Sequence, residues 1–164
     1  MNRKGTILEI VKNNPGIRFN EIMRISNIRN GTLSHYVKKL EDELSIEIER
    51  SPRVTRLYPV GISPHEAKIC KFLTIDSQRK LILFLLQKQE VTSSEIKEHL
   101  GKSPSVVSVN LNQLFKEKII KKKYDIPYNK YSLKNPTQIR GIMSEYYPSM
   151  LQKLSDNTIE MLQI

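Results

Sequence analysis

The sequence predicts an α+β protein, mostly helical, that contains two tandem copies of one unit and a C-terminal helical segment. Three observations predict this fold class. Apolar residues recur at helical and then at strand spacing along residues 6–60. The same pattern returns 74 positions later without a gap, as the alignment of Glu21 with Glu95 shows. A further helical stripe of apolar residues follows residue 137.

The first unit is expected to open with a helix over residues 6–12, which Pro15 and Gly16 help to end. Residues 20–41 then predict two short helices joined by a tight turn, with Ser26 to Asn30 supplying turn and N-cap residue types. In the first of these helices the inward positions are Ile22 and Ile25. In the second they are Leu33, Val37 and Leu40.

A β-hairpin is expected to complete the first unit. Residues 45–50 alternate between apolar and polar side chains, which is typical of a half-buried strand. Residues 51–53 break this strand, and residues 54–60 resume an extended pattern. The hairpin is therefore predicted to carry Arg50, Arg53 and Arg56 near its tip.

The second unit repeats this order at the offset of 74. Ile22, Leu40 and Ile46 align with Ile96, Leu114 and Ile120. A pattern that stays in register through three helices and a strand indicates two copies of one unit. Residues 76–88 are then the first helix of the second copy, preceded by an extra helix over residues 65–72, and residues 119–133 form its hairpin.

These patterns divide the chain into a first domain at residues 1–62, a second at residues 63–135 and a C-terminal segment at residues 136–164. The segment carries a stripe of apolar side chains that must be buried somewhere. Two burial sites are open: a second copy of the chain, which makes a homodimer, or the second unit itself. The candidate dimerisation residues are Ile142, Met143, Tyr146, Met150, Leu154 and Met161.

The charge favours a polyanionic partner. The chain of 164 residues has 27 Lys and Arg against 17 Asp and Glu, a net charge of +10. Residues 1–62 have 11 basic and 7 acidic residues, and residues 63–135 have 14 and 7, so the excess lies in the two units. Nucleic acid is the first candidate for such a partner and an anionic membrane surface the second.

Other function classes are disfavoured by what the sequence contains. No run of about 18 apolar residues predicts a membrane-spanning helix. The only cysteine is Cys70, in an apolar helical stretch, which fits a buried thiol and a reducing, cytoplasmic compartment. The three histidines lack the spacing of metal ligands. No phosphate-binding glycine loop or nucleophile elbow is present, so we expect neither an enzyme nor a cofactor.

The stretch EIMRISNIRNGTLSHYVKKLE, residues 21–41, resembles the helix-turn-helix of winged-helix transcriptional regulators of the MarR- and ArsR-like group. The resemblance extends over both repeats, roughly residues 5–134, and does not reach the tail. It implies tandem winged-helix units that bind double-stranded DNA. It further implies that the second helix of the stretch enters the major groove and that the hairpin is the wing.

The resemblance assigns the polar face of the first recognition helix to DNA. The candidate residues there are Arg29, Asn30, Thr32, Ser34, His35, Lys38 and Lys39. His35 stands where the family often has a base-reading arginine, and histidine lacks the two-pronged donor that pairs with guanine. On the first wing, Arg50, Arg53 and Arg56 are expected to contact phosphates.

The second unit offers a different set of candidate DNA contacts. In its recognition helix these are Ser103, Ser105, Ser108 and Asn112, and in its wing they are Lys121, Lys122, Lys123 and Lys130. The helix has no cation before Lys116, so packing against the first unit or a partner is an equal alternative. The wing lysines are also compatible with a role in blocking edge-to-edge strand pairing.

The resulting prediction is a DNA-binding transcriptional regulator whose first unit reads base sequence while the second mainly adds affinity. Two other functions use tandem winged helices. One is a protein-interaction scaffold, as in chromosome-condensation or transcription-machinery subunits, and the other is a replication initiator.

Overall fold

The computed structural model describes the backbone of residues 2–162 and the side chains of residues 2–156. The chain divides into two compact units, Met1–Thr74 and Ile75–Ile164. The first contains α1 (Arg3–Asn13), β1 (Ile17–Arg18), α2 (Phe19–Ser26), α3 (Asn30–Asp42), β2 (Ile46–Arg50), β3 (Thr55–Pro59) and α4 (Pro64–Thr74). Its three strands form an antiparallel sheet in the order β1-β3-β2.

One hydrophobic core holds the first unit together. It joins the helices α1, α2 and α3 to the sheet through Ile7, Val11, Ile17, Ile22, Leu33, Val37, Leu40, Ile46 and Leu57. Leu33, Val37 and Leu40 lie on one side of α3 and are 6% exposed or less, so the polar side chains of α3 face outward. The spacing predicts Ile25 in this core, but Ile25 is half exposed near the end of the eight-residue helix α2, where only Ile22 is buried.

The first unit extends further along the chain than the sequence pattern predicts. The expected boundary follows residue 62, whereas α4 groups with the first unit and the division follows Thr74. Two contacts attach α4 there. Arg56 Nη1 donates to Thr74 Oγ1 at 2.9 Å, and Lys71 Nζ lies 3.6 Å from a carboxylate oxygen of Glu49.

The second unit contains α5 (Asp76–Lys88), β4 (Val91–Thr92), α6 (Ser93–Leu100), α7 (Pro104–Lys116), β5 (Ile120–Asp125), β6 (Tyr128–Leu133), α8 (Pro136–Tyr146) and α9 (Pro148–Leu162). Its sheet has the order β4-β6-β5, which matches the order in the first unit. The structure therefore confirms the α+β class with two units. Each contains a three-stranded sheet and three helices that precede its hairpin, besides α4 in the first unit and α8 and α9 in the second.

The repeat offset of 74 residues holds for the backbone as well as for the sequence. Helices α2 and α3 correspond residue for residue to α6 and α7 at that offset, and β1 corresponds to β4. Two left-handed turns also recur: Asn27 (φ 57°) corresponds to Gly101 (φ 63°), and Leu44 (φ 58°) to Lys118 (φ 60°). Asn and Gly tolerate this conformation after a helix better than other residues.

The helix N-termini of the two units are capped differently. In the second unit Thr92 and Glu95 form a reciprocal capping box at α6, and Ser103 Oγ accepts from Val106 N at α7. In the first unit the N-cap residues of α2 and α3 are Arg18 and Arg29, and neither makes a side-chain cap bond. The first amides of α3 are therefore open to an external acceptor.

The C-terminal segment packs on the second unit. Helix α8 buries Ile139, Ile142 and Met143, while α9 contacts α5 and α8. The dimer prediction requires Ile142 and Met143 to be available to a second copy, but they are 4% and 0% exposed in their own unit because α8 docks there. Leu154 is likewise buried, Tyr146 and Met150 are half-buried, and Met161 lies outside the described side chains.

No described helix combines the length and the apolar character that a membrane crossing requires. The described side chains also contain no group of three or more histidine, cysteine or acidic residues arranged to hold a metal ion.

Candidate nucleic-acid interface

The outward face of α3 carries most of the predicted base-reading residues. Asn30, Ser34, His35, Lys38 and Lys39 are exposed, and Thr32 is half-buried. Ser34 Oγ donates to Asn30 Oδ1 at 3.1 Å, which leaves the Asn30 amide group as a donor. The His35 ring packs edge-on against Tyr36 at a centroid distance of 5.3 Å. The helix thus presents donors, acceptors and cations on a single surface, as base-edge contacts require.

A shallow hollow lies beside the N-terminus of α3. Arg3 and Arg29 contribute guanidinium groups to its lining, and Thr6, Ser26 and Thr32 contribute hydroxyls. Arg29 and Thr32 are predicted contacts, whereas the sequence pattern does not indicate Arg3, because it lies before the helix-turn-helix. These groups surround the uncapped start of α3, where the helix dipole also favours an anion.

The arginines of the first wing differ in whether they are paired with a carboxylate. Arg53 is exposed at the turn and lines a second hollow together with Arg18 and Asn20. Arg50 is also exposed, but both of its terminal nitrogens donate to the carboxylate of Glu41, at 2.9 and 3.0 Å. The hydrogen bond from Arg50 lowers the pKa of Glu41, so this carboxylate is ionised near neutral pH and offsets the positive charge of Arg50.

Arg56 is buried, whereas its predicted phosphate contact requires an exposed side chain. Its side chain is 3% exposed in β3, and Nη1 donates to the Gly16 carbonyl and to Thr74 Oγ1, both at 2.9 Å. Burial lowers the pKa of the guanidinium. Strand β3 is buried on both of its faces, with Leu57 in the core and Arg56 beside Thr74 of α4. Nothing in the local sequence indicates that a carbonyl and a hydroxyl accept hydrogen bonds from Arg56 there.

The recognition helix of the second unit has an apolar exposed face. Ser105, Ser108 and Asn112 are exposed, and so are Val106, Val109 and Phe115 at 39%, 56% and 53%. Ser103 caps the helix and lies 3.1 Å from the Ser105 hydroxyl, so its oxygen already has partners. The exposed face of this helix thus carries valine and phenylalanine side chains as well as the predicted serines.

The second wing is basic along its strands and apolar at its tip. Lys121, Lys122 and Lys123 are exposed, and Lys122 Nζ lies 5.0 Å from the centroid of the Tyr124 ring. Lys130 pairs with Asp125 at 3.1 Å, which raises the pKa of Lys130. The tip exposes Tyr124, Ile126 and Tyr128 at 80%, 96% and 65%.

Three cations that the sequence pattern does not single out lie near this wing. Lys88 at the end of α5, Lys134 after β6 and Arg140 in α8 line one groove together with the three wing lysines. They come from separate parts of the chain, so no sequence window shows them together. The only signal for them in the sequence is the net charge of the unit.

Sequence comparisons match both units to known families. Residues 3–43 match the family described as winged helix-turn-helix DNA-binding. Residues 76–122 match the bacterial regulatory proteins of the arsR family. The matches fall on the equivalent helices of the two repeats, and these families consist of regulatory and DNA-binding proteins rather than enzymes. No curated protein matches the chain in sequence.

Several solved structures align with the chain at low identity. HlyU from Vibrio cholerae N16961 is 19% identical over 49% of this chain and 91% of its own, with a TM-score of 0.42. The homodimeric DNA-binding domain of Mb0332 from Mycobacterium bovis, a possible ArsR-family regulator, is 19% identical over 62% and 94%, with a TM-score of 0.43. ZitR from Lactococcus lactis in complex with DNA is 16% identical over 81% and 79%, with a TM-score of 0.35.

The fold and the family matches both identify each repeat as a winged helix-turn-helix unit. Each unit has three helices followed by a hairpin, and each contains a segment matched by a helix-turn-helix family. The chain is therefore a tandem winged helix-turn-helix protein whose second unit matches the arsR family.

Proposed function

We propose that the protein is a transcriptional regulator that binds double-stranded DNA and reads base sequence with α3 of its first unit. The observation that carries this proposal is the outward face of α3, which combines Asn30, His35 and Lys38 over a fully apolar inner face. An α-helix of this kind fits the major groove, where each base pair shows a distinct donor and acceptor pattern.

Phosphate contacts are proposed to supply most of the affinity. In the first unit the Arg3–Arg29 hollow adjoins the start of α3, and the exposed Arg53 lines a second hollow beside α2. In the second unit the exposed wing lysines are point charges that suit any phosphate. The affinity should therefore fall with salt at a slope of about −0.9 per neutralised phosphate.

The test compares sequence preference with general affinity. Preferred sites are first selected from a random duplex library with the full chain. Binding of Asn30→Ala/His35→Ala and of Lys121→Ala/Lys122→Ala is then measured on the selected site and on random DNA at two salt concentrations. The first variant should lose preference for the selected site, because each lost base contact costs roughly 1–3 kcal/mol. The second should weaken both DNAs alike and reduce the salt slope.

Two outcomes would contradict the proposal. Selection that yields no preferred sequence would remove the base-reading role of α3. A specificity ratio that changes in the lysine variant and not in the Asn30/His35 variant would reverse the assignment of the two units.

A protein-interaction scaffold is the second candidate, and the exposed valines and phenylalanine of α7 favour it. Aliphatic and aromatic side chains on a helix surface suit a protein partner better than a phosphate backbone. The first binding measurement separates the two functions, because a scaffold without DNA contacts would leave duplex DNA unbound at low salt.

We also propose a homodimer. The Mycobacterium bovis domain is homodimeric, but this property of that protein is not evidence about the present chain. In this chain the support is the half-buried pair Tyr146 and Met150, which remains at the surface after α8 has buried its other apolar side chains. Residues 136–164 carry little net charge, which removes one obstacle to self-association.

A further inference from the structure

The second unit concentrates its positive charge in one groove. The end of α5, strand β5 and the start of α8 form the walls, and six cations line them: Lys88, Lys121, Lys122, Lys123, Lys134 and Arg140. Glu90 is the one carboxylate among the described lining residues. Hydroxyls of Ser132 and Thr137 lie on the same lining and offer further donors.

None of these six cations forms an ion pair with a described carboxylate, although Glu90 lines the same groove. Arg140 Nη2 instead donates to the Leu86 carbonyl at 3.2 Å, and Lys122 contacts the ring of Tyr124. In the first unit, by contrast, Lys4, Arg24 and Arg50 each pair with a glutamate. Like charges gathered in a concave surface raise the local potential and attract a polyanion.

Helix α7 has the opposite character. Its exposed face carries Val106, Val109 and Phe115, and its first cation is Lys116 at the last position. The Ser103 cap already satisfies the Val106 amide at its N-terminus. A helix without early cations and with a capped start offers little to a phosphate.

We propose that the second unit binds the phosphate backbone of duplex DNA in this groove and not through α7. This inference rests on the proposed function, since it requires that the chain bind duplex DNA. The groove supplies point charges from lysine and one guanidinium fixed by a backbone carbonyl, which suit a row of phosphates. Contacts from these cations to phosphate oxygens carry no base information, so the proposed contact is independent of sequence.

The test uses the full chain and three variants that each lose three positive charges. The groove variant is Lys88→Gln/Lys134→Gln/Arg140→Gln. The control variant, Lys97→Gln/Lys102→Gln/Lys116→Gln, removes three cations of α6, α7 and their connection, all of them exposed. Dissociation constants for random duplex DNA are measured at several salt concentrations, and circular dichroism melting checks that every variant folds.

The groove variant should reduce the salt slope by about 2.7, which corresponds to three lost phosphate contacts. The control variant should change the slope by less than one contact, about 0.9. Because Arg140 also contacts Leu86, a second groove variant, Lys121→Gln/Lys123→Gln/Lys134→Gln, keeps that bond and should show the same reduction.

Three results would overturn the inference. In the first, the control variant loses slope while both groove variants keep it, which places the contact on α7. In the second, tripolyphosphate binds the wild type and not the groove variants, while DNA binding is unchanged, which makes the groove a site for a small anion. In the third, the wild type does not bind duplex DNA, and the proposed function then fails as well.

Discussion

Arg56 and Arg53 lie three positions apart on the same hairpin and have different roles. Arg53 is exposed at the turn, while Arg56 donates to Gly16 and Thr74 from a buried position in β3. The Arg56 Nε has no hydrogen-bond partner among the described residues, so its burial carries a cost that the two Nη1 bonds offset. At this scale the sequence predicts the residue type and the strand but not which arginines turn inward.

The contrast between these arginines gives a prediction. Arg56→Ala should lower the free energy of unfolding of the full chain by about 2 kcal/mol, because a charged hydrogen-bond donor is lost and its acceptors are left buried. Arg53→Ala should leave the stability unchanged and weaken DNA binding. Chemical denaturation and DNA titration of both variants check this. Equal destabilisation by the two substitutions would show that Arg56 has no special structural role.

At the scale of elements, the internal repeat is the most informative part of the sequence. It places α2, α3 and β1 and their equivalents α6, α7 and β4, because a core pattern that recurs in register restricts helix and strand positions together. It does not signal the left-handed residue that follows α3 and α7, since Leu44 and Lys118 are not residue types that favour this conformation. Helix α4 follows the first hairpin as α8 follows the second, but the repeat in the sequence ends at the hairpins, so the pattern could not assign α4 to a unit.

The apolar stripe of the tail helices predicts that they are buried but not against which surface. Both a dimer and docking on the second unit bury such a stripe, and only the contacts of α8 and α9 with their own unit separate the two. Pro148 starts α9, as its tolerance at the first helical position allows.

A homodimer through the remaining surface is tested with one pair of variants. Met150→Glu should convert the dimer to a monomer, because it introduces a charge where a half-buried apolar side chain meets the second copy. The control is Ser149→Glu, at an exposed neighbouring position, which should stay dimeric. Light scattering at matched concentration gives the masses. A wild type of monomeric mass would rule out the dimer.

For the whole molecule, the charge is shared evenly between the two units. Residues 1–74 have 13 basic and 8 acidic residues, and residues 75–164 have 14 and 9, so each unit has a net charge of +5. The sequence therefore predicts a polyanionic partner but not the arrangement of the charge. The groove is formed by residues 88, 121–123, 134 and 140, which only folding brings together.

The position of the division between the units gives a further prediction. A fragment of residues 1–74 should unfold cooperatively and be more stable than a fragment of residues 1–62 by at least about 1 kcal/mol. The shorter fragment lacks Thr74, so the hydrogen bond from Arg56 Nη1 to Thr74 Oγ1 is lost. Urea denaturation of both fragments gives the difference. Equal stability would place the end of the first unit before α4.

The single cysteine of the chain lies in α4 and is fully buried. A thiol reagent therefore has no access to Cys70 while α4 stays in place. The rate at which Cys70 is labelled then measures how often this helix opens. Because no other thiol competes, the same burial allows a cysteine introduced at the exposed tip residue Ile126 to be labelled selectively. Because Cys70 is buried, thiol labelling can report the opening of α4 in the wild type and the environment of the second wing in the Ile126→Cys variant.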